Sequence, residues 1–128
     1  MSTSADPLAS PEWEAARSDW YTQAEGDLSR LQKIVATAAP GELVREIVYA
    51  PMHDVAGLAG VLGYPLLGRI ARSLAEALRR GANPLDDKTL TVCRAYLATL
   101  VALHAKDVRG EGGAGGEAIL ARLASIQP

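Results

Sequence analysis

The chain has 128 residues, of which 48% are hydrophobic and 22% charged; that suits one core and leaves little room for a second domain. A formal net charge of −2, with Arg79-Arg80 as the one adjacent basic pair, argues against nucleic-acid binding. A single cysteine, Cys93, excludes an internal disulfide and fits a reducing cytoplasm, and with His53 and His104 widely spaced it makes a poor zinc ligand set.

The N-terminus from Met1 to Trp13 lacks the basic and apolar regions of a signal peptide, and residues 1–9 are expected as a disordered tail, with one domain over 10–128. Ser10-Pro11-Glu12 reads as a helix start: a capping serine, proline in the first turn and an acid beside it. Trp13, Ala16, Trp20, Ala24, Leu28, Leu31 and Val35 follow at helical spacing. Ser18-Asp19 offers a second cap, so this stretch is either one kinked helix or a short helix leading into a longer one, ended by Pro40-Gly41. A second helix is predicted from about Glu42 to Leu62. Gly63-Tyr64-Pro65 punctuates the chain, and Leu67, Ile70, Leu74, Ala77 and Leu78 form the stripe of a third helix that stops at Gly81-Ala82-Asn83-Pro84. Asp86 and Asp87 open a fourth, with Leu90, Cys93, Leu97, Leu100 and His104 on one side and Val92, Tyr96 and Leu103 on another. Gly110 to Gly116 reads as a flexible connector, and Ile119, Leu120, Leu123 and Ile126 mark a short closing helix.

The longest apolar stretch, Val55 to Gly68, is broken by glycines and Pro65 and is too short for a membrane span, so a soluble cytoplasmic protein is expected. No stretch alternates with period two for long enough to suggest a sheet. The fold class expected is all-α: an up-down four-helix bundle with an additional short N-terminal helix or kink and a short C-terminal helix.

At about 100° per residue, Val44, Ile47, Val48, Pro51, Val55, Leu58 and Leu62 gather on one side of the second helix, the predicted core stripe. His53 falls opposite, with Glu46, Tyr49, Ala56, Gly57 and Gly60 around it. A glycine inside a helix costs roughly 1 kcal/mol relative to alanine. On the outer face core packing gives no reason for Gly57 and Gly60. Close approach by another molecule does, and a poorly optimised helix end near Gly63 is the plainer alternative. Most exposed histidines are solvated and idle, but a histidine of ordinary pKa, about 6.5, is largely neutral at pH 7 and then nucleophilic. No companion for a Ser-His-Asp or Cys-His site stands at a recognisable spacing, so the electrophile for such a nucleophile would arrive on a partner. His104 and Cys93 read as packing residues, as do Trp13 and Trp20, and Gly112 to Gly116 lacks the Gly-Lys-Ser/Thr ending of a phosphate loop.

The stretch His53-Asp54-Val55-Ala56-Gly57-Leu58-Ala59-Gly60-Val61-Leu62-Gly63-Tyr64-Pro65-Leu66 resembles the signature of histidine phosphotransfer (HPt) domains: a histidine, a lysine three residues later, glycine next, small residues, then Leu-Gly and a helix of spaced leucines. The His-Asp opening and Gly-Tyr-Pro-Leu ending look like a version common in α-proteobacteria. Asp27-Leu28-Ser29-Arg30-Leu31 and Val108-Arg109-Gly110-Glu111-Gly112-Gly113-Ala114 agree, so the resemblance spans nearly the whole chain after the tail.

The resemblance implies a phosphorelay protein. His53 would accept a phosphoryl group from the aspartyl phosphate of a receiver domain, on a response regulator or a hybrid histidine kinase, and pass it on. It implies no ATP hydrolysis and no cofactor in this chain, the divalent metal belonging to the receiver. Tyr49, Ala56, Gly57, Gly60, Arg69 and Arg72 are the expected partner-docking residues; the oligomeric state is not set by the sequence.

Three residues depart from the pattern. Ala56 replaces the lysine, Leu58 replaces the polar residue after the glycine, and Pro51 stands two residues before the histidine, where it removes a backbone donor and is expected to kink the helix. Losing one unit charge at about 6 Å and an effective dielectric near 20 costs roughly 3 kcal/mol, less with solvent screening, which slows transfer by about one or two orders of magnitude. Arg69 or Arg72 on the next helix would restore that charge, against the plainer alternative of solvated helix charge. The other functional reading is a degenerate HPt-like module that binds or sequesters a response regulator without phosphotransfer.

Overall fold

In the computed structural model, which describes residues 10–126, Ser10 caps the first helix: its Oγ accepts the Trp13 backbone N–H at 3.0 Å. The expected tail over 1–9 lies outside the described residues. Helix α1 (Pro11–Thr37) runs without interruption through Ser18-Asp19 and buries Ala24, Leu28, Leu31 and Val35, so among the described residues no separate short helix precedes it. Its last turn carries no basic residue. Arg94 of a later helix supplies one, donating to the carbonyls of Val35 (2.9 Å) and Ala38 (3.2 Å), where a cation satisfies orphan acceptors at the negative end of the helix dipole.

Helix α2 (Glu46–Leu58) starts four residues later and ends four residues earlier than expected. The delayed start has a cause in the following connection. The Leu43 carbonyl accepts the Leu85 N–H at 2.8 Å, the Arg45 N–H donates to Asn83 Oδ1 at 3.0 Å, and the Arg45 guanidinium reaches the Gly81 carbonyl. The Leu43 carbonyl and the Arg45 N–H are committed to those partners and unavailable for helical bonding. At the other end Tyr64 N–H folds back onto the Ala59 carbonyl, and Gly63 takes the left-handed conformation at φ 98°. Pro51 sits inside α2, which continues through it; the Ile47 carbonyl lacks the helical donor that residue 51 would otherwise provide.

Helix α3 (Pro65–Arg80) buries Gly68, Ala71 and Ala75 as well as its leucines and Ile70. A Cβ on Gly68 would lie 3.3 Å from the Ala59 Cβ and 3.4 Å from the Gly60 backbone nitrogen, so this glycine sets how closely α3 approaches the end of α2. Helix α4 (Asp87–Ala105) is capped by Asp86, which accepts from the Thr89 backbone N–H (2.9 Å) and hydroxyl (2.6 Å). Those two bonds hold the Asp86 carboxyl below its usual pKa.

Helix α5 (Gly113–Ala124) begins inside the glycine-rich stretch, which is a tight turn and a helix start, not the flexible connector expected. Gly112 has φ 77°, and a Cβ on Gly116 would stand 2.2 Å from the Glu111 carbonyl oxygen.

Among the described residues there are five helices and no strand. They form a helical bundle in which α2 packs on α3, α3 on α4 and α4 on α1, while α1 meets α2, and α5 meets α3, only sparsely. The shared core includes Leu31, Met52, Tyr64, Leu74, Tyr96 and Leu100, all nearly inaccessible. No helix among the described residues is long and apolar enough to cross a membrane.

Candidate functional site

Helix α2 presents two apolar faces, which corrects the single stripe expected. Val48, Met52, Val55, Ala59 and Leu62 are the residues that enter the core, whereas Val44, Ile47 and Leu58 are exposed and Pro51 is half-buried. Four of the seven residues assigned to the core stripe therefore lie outside it. The stripe at positions 48, 52, 55 and 59 repeats at helical spacing; including Met52 and Ala59 rotates the buried face away from Leu58.

His53 is exposed after this rotation, as expected. Its ring stacks on the half-buried Tyr49 ring, with centroids 5.9 Å apart and planes 16° apart. Neither ring nitrogen has a hydrogen-bond partner among the described residues, in contrast to His104, which is 6% exposed and donates from Nε2 to the Tyr21 carbonyl at 2.7 Å. Tyr49 fixes the ring from one side and leaves its nitrogens unengaged.

Two open grooves meet at His53. The first, of about 490 Å³, lies between α1 and α2, where those helices part; Trp20, Ala24, Pro51 and Leu58 give it an apolar wall, and Asp27 and Asp54 give it acidic positions. The second, of about 290 Å³, lies between α2 and α3; Ala56 and Gly57 line it from α2, Arg72 and Arg79 from α3. Gly57 borders both, and a Cβ there, or on Gly60, would meet nothing within 4 Å. The chain's own packing requires neither glycine.

The expected docking residues separate accordingly. Tyr49, Ala56, Gly57 and Arg72 gather with His53 in the second groove, and Gly60 lies exposed just beyond the end of α2. Arg69 does not join them: its Nη1 donates to Glu111 and to Glu117, each at 3.0 Å. Those two bonds raise its pKa. Sequence reasoning missed Trp20 and Arg79; for Arg79 the spacing 72, 75, 76, 79 on α3 carried the signal, and for Trp20 none did, because its place depends on how far α1 stands from α2.

Cys93 is buried and burial pushes its thiol up to about 12, which makes it a packing residue with no thiolate chemistry near neutral pH. No group of three or more His, Cys, Asp or Glu among the described residues could hold a metal ion.

Comparison with protein-family models, with curated proteins and with solved structures finds no significant match.

Proposed function

We propose that this chain is a histidine phosphotransfer protein in which His53 accepts a phosphoryl group from a receiver-domain aspartate and passes it on, its α1–α4 helices serving as an up-down four-helix frame. The observation that carries this reading is the setting of His53: exposed, stacked on Tyr49, both ring nitrogens unengaged, with Gly57 open between two grooves. A phosphoryl carrier needs a nucleophile that another protein can reach, and needs no second catalytic group of its own. The apolar wall of Pro51 and Leu58 beside the histidine suits a protein partner, since contiguous exposed apolar side chains mark interaction surfaces.

In the transfer, the lone pair of one His53 ring nitrogen attacks phosphorus while the bond from phosphorus to the partner's carboxylate oxygen breaks. The bonding electrons leave with the carboxylate. The metal that the receiver chemistry uses belongs to the partner.

A second reading, a receiver-binding module without transfer, is favoured by Ala56, which leaves α2 without a cation beside the histidine. Incubation with a phosphorylated receiver separates the two. Label on the wild type and none on His53→Gln, at equal receiver affinity, is the result expected; tight binding with no label on either protein replaces the relay by the module.

A further inference from the structure

Arg72 and Arg79 lie on the face of α3 that borders the His53 groove. Positions 72, 75, 76 and 79 follow the i, i+3, i+4, i+7 spacing of a single helix face, and all four line the groove that holds His53. Ala75, at the centre of that face, is small and buried, which leaves the groove open between the two guanidinium groups. Neither arginine has a carboxylate within ion-pair distance among the described residues, whereas Arg69, one turn earlier, is held between Glu111 and Glu117. Glu76 is the acid on this face; with two arginines beside it the local balance stays positive. Ala56 and Gly57 form the opposing wall and carry no charge. The groove is therefore an uncharged surface on the histidine's helix facing unpaired cations on the next one.

We propose that Arg72 and Arg79 bind the phosphoryl oxygens at His53, so that the positive charge the site needs is carried by α3 instead of α2. The assignment rests on the reading of His53 as phosphoacceptor. Guanidinium groups suit the task, since their planar fork donates two parallel hydrogen bonds to phosphate oxygens and stays charged throughout. They gain and lose no proton during transfer: the N–P bond forms, the P–O bond to the partner's carboxylate breaks, and the arginines neutralise the non-bridging oxygens before and after. Gly68 makes the arrangement possible, because the close seating of α3 on α2 there brings the 72–79 face to the histidine.

Two measurements on the full chain test this. In the first, inorganic phosphate is titrated against 15N-labelled protein at constant ionic strength. The Ala56 and Gly57 amides are expected to shift saturably in the wild type and in Lys33→Gln/Arg122→Gln, a control of equal charge change at exposed positions of α1 and α5, and to stay still in Arg72→Gln/Arg79→Gln. In the second, transfer from a phosphorylated receiver is timed in a single turnover. The double variant is expected to slow by about tenfold or more, the size a lost charge contact produces, and Ala56→Lys added to it is expected to restore the rate. The same lysine added to the wild type is expected to change it less than about threefold, since contacts to one group are not additive. Both arginines are exposed, so the melting temperature serves as the check that folding is intact. A wild type that takes label at the same rate as the double variant overturns the arginine assignment and leaves the relay standing. A wild type that takes none overturns the relay, and phosphate shifts that then persist without the arginines overturn the assignment as well.

Discussion

Gly57 is the residue at which stability and function pull in opposite directions. It lies inside α2, exposed, with open space where a Cβ would be, so alanine fits without strain. Replacing an unstrained helical glycine by alanine lowers the entropy of the unfolded chain and stabilises by about 0.5–1 kcal/mol. The added methyl also rises between the two grooves, beside the ring that a receiver would have to reach under the proposed function. Gly57→Ala is therefore expected to raise the urea midpoint with an unchanged slope, and to slow transfer from a phosphorylated receiver by about tenfold, the size of a 1.4 kcal/mol barrier change. A variant that is stabilised and transfers at the wild-type rate would show that this surface is not approached closely. That His53 faces outward was legible from helical spacing, and so was the absence of a packing reason for Gly57. The fate of Arg69 was not: Glu111 and Glu117 lie more than forty residues along the chain, and no local pattern announces that pairing.

At the scale of elements, helix starts marked by caps were legible and those decided by tertiary partners were not. Ser10 and Asp86 each cap the helix they were expected to start, because the bond involved spans three residues. The start of α2 shifted from about Glu42 to Glu46 because Leu43 and Arg45 bond to residues 81–85, a choice made by a distant segment. The two-faced character of α2 was hidden for a related reason: Ile47 and Leu58 are apolar whether they meet the core or a partner. Gly68 is the pivot of this arrangement, since the site is built at a helix–helix seam. A Cβ there meets Ala59 and the Gly60 backbone at 3.3 and 3.4 Å, and neither is the end of a flexible side chain, so α3 has to move outward. Gly68→Ala is expected to destabilise by about 1–3 kcal/mol, as overpacking of a close contact does, and Gly68→Leu by more. Thermal melts read the loss directly. An alanine variant as stable as the wild type would mean that the α2–α3 spacing relaxes freely, and the arginine face would then have no fixed distance from His53.

Across the whole molecule, one aromatic and ionic cluster ties the middle of α1 to the start of α3 and the end of α4, and its pH dependence has a definite sign. Tyr21 of α1 stacks on His104 of α4 and on Tyr64 just before α3, at centroid distances of 3.7 and 4.7 Å. The Tyr21 hydroxyl donates to the His104 carbonyl. Tyr64 donates to Asp107 Oδ1 at 2.8 Å, with the Arg109 guanidinium over its ring. Burial, then the bond to Asp107, pushes the Tyr64 hydroxyl up to about 12, and that same bond holds the Asp107 carboxyl below its usual value. A raised folded-state pKa means stability fully present below the unfolded value, about 10 for tyrosine, and lost as pH rises through the folded one. A lowered carboxyl means the reverse: stability present above about 4 and lost as pH falls toward the folded value. One hydrogen bond thus contributes to both limits of the stability profile. Tyr64→Phe is expected to lower stability at neutral pH, to flatten the acid limb below about pH 4, and to make the decline between about pH 10 and 12 shallower. Part of the alkaline decline remains in the variant, because burial also raises the pKa of Tyr21 and of Cys93, and part of the acid decline remains through Asp86. Urea midpoints measured across pH for the two proteins give the comparison. Parallel profiles, displaced but equally steep at both ends, would mean that the Tyr64–Asp107 bond does not link the helix ends, and that stacking on Tyr21 and His104 holds them without it.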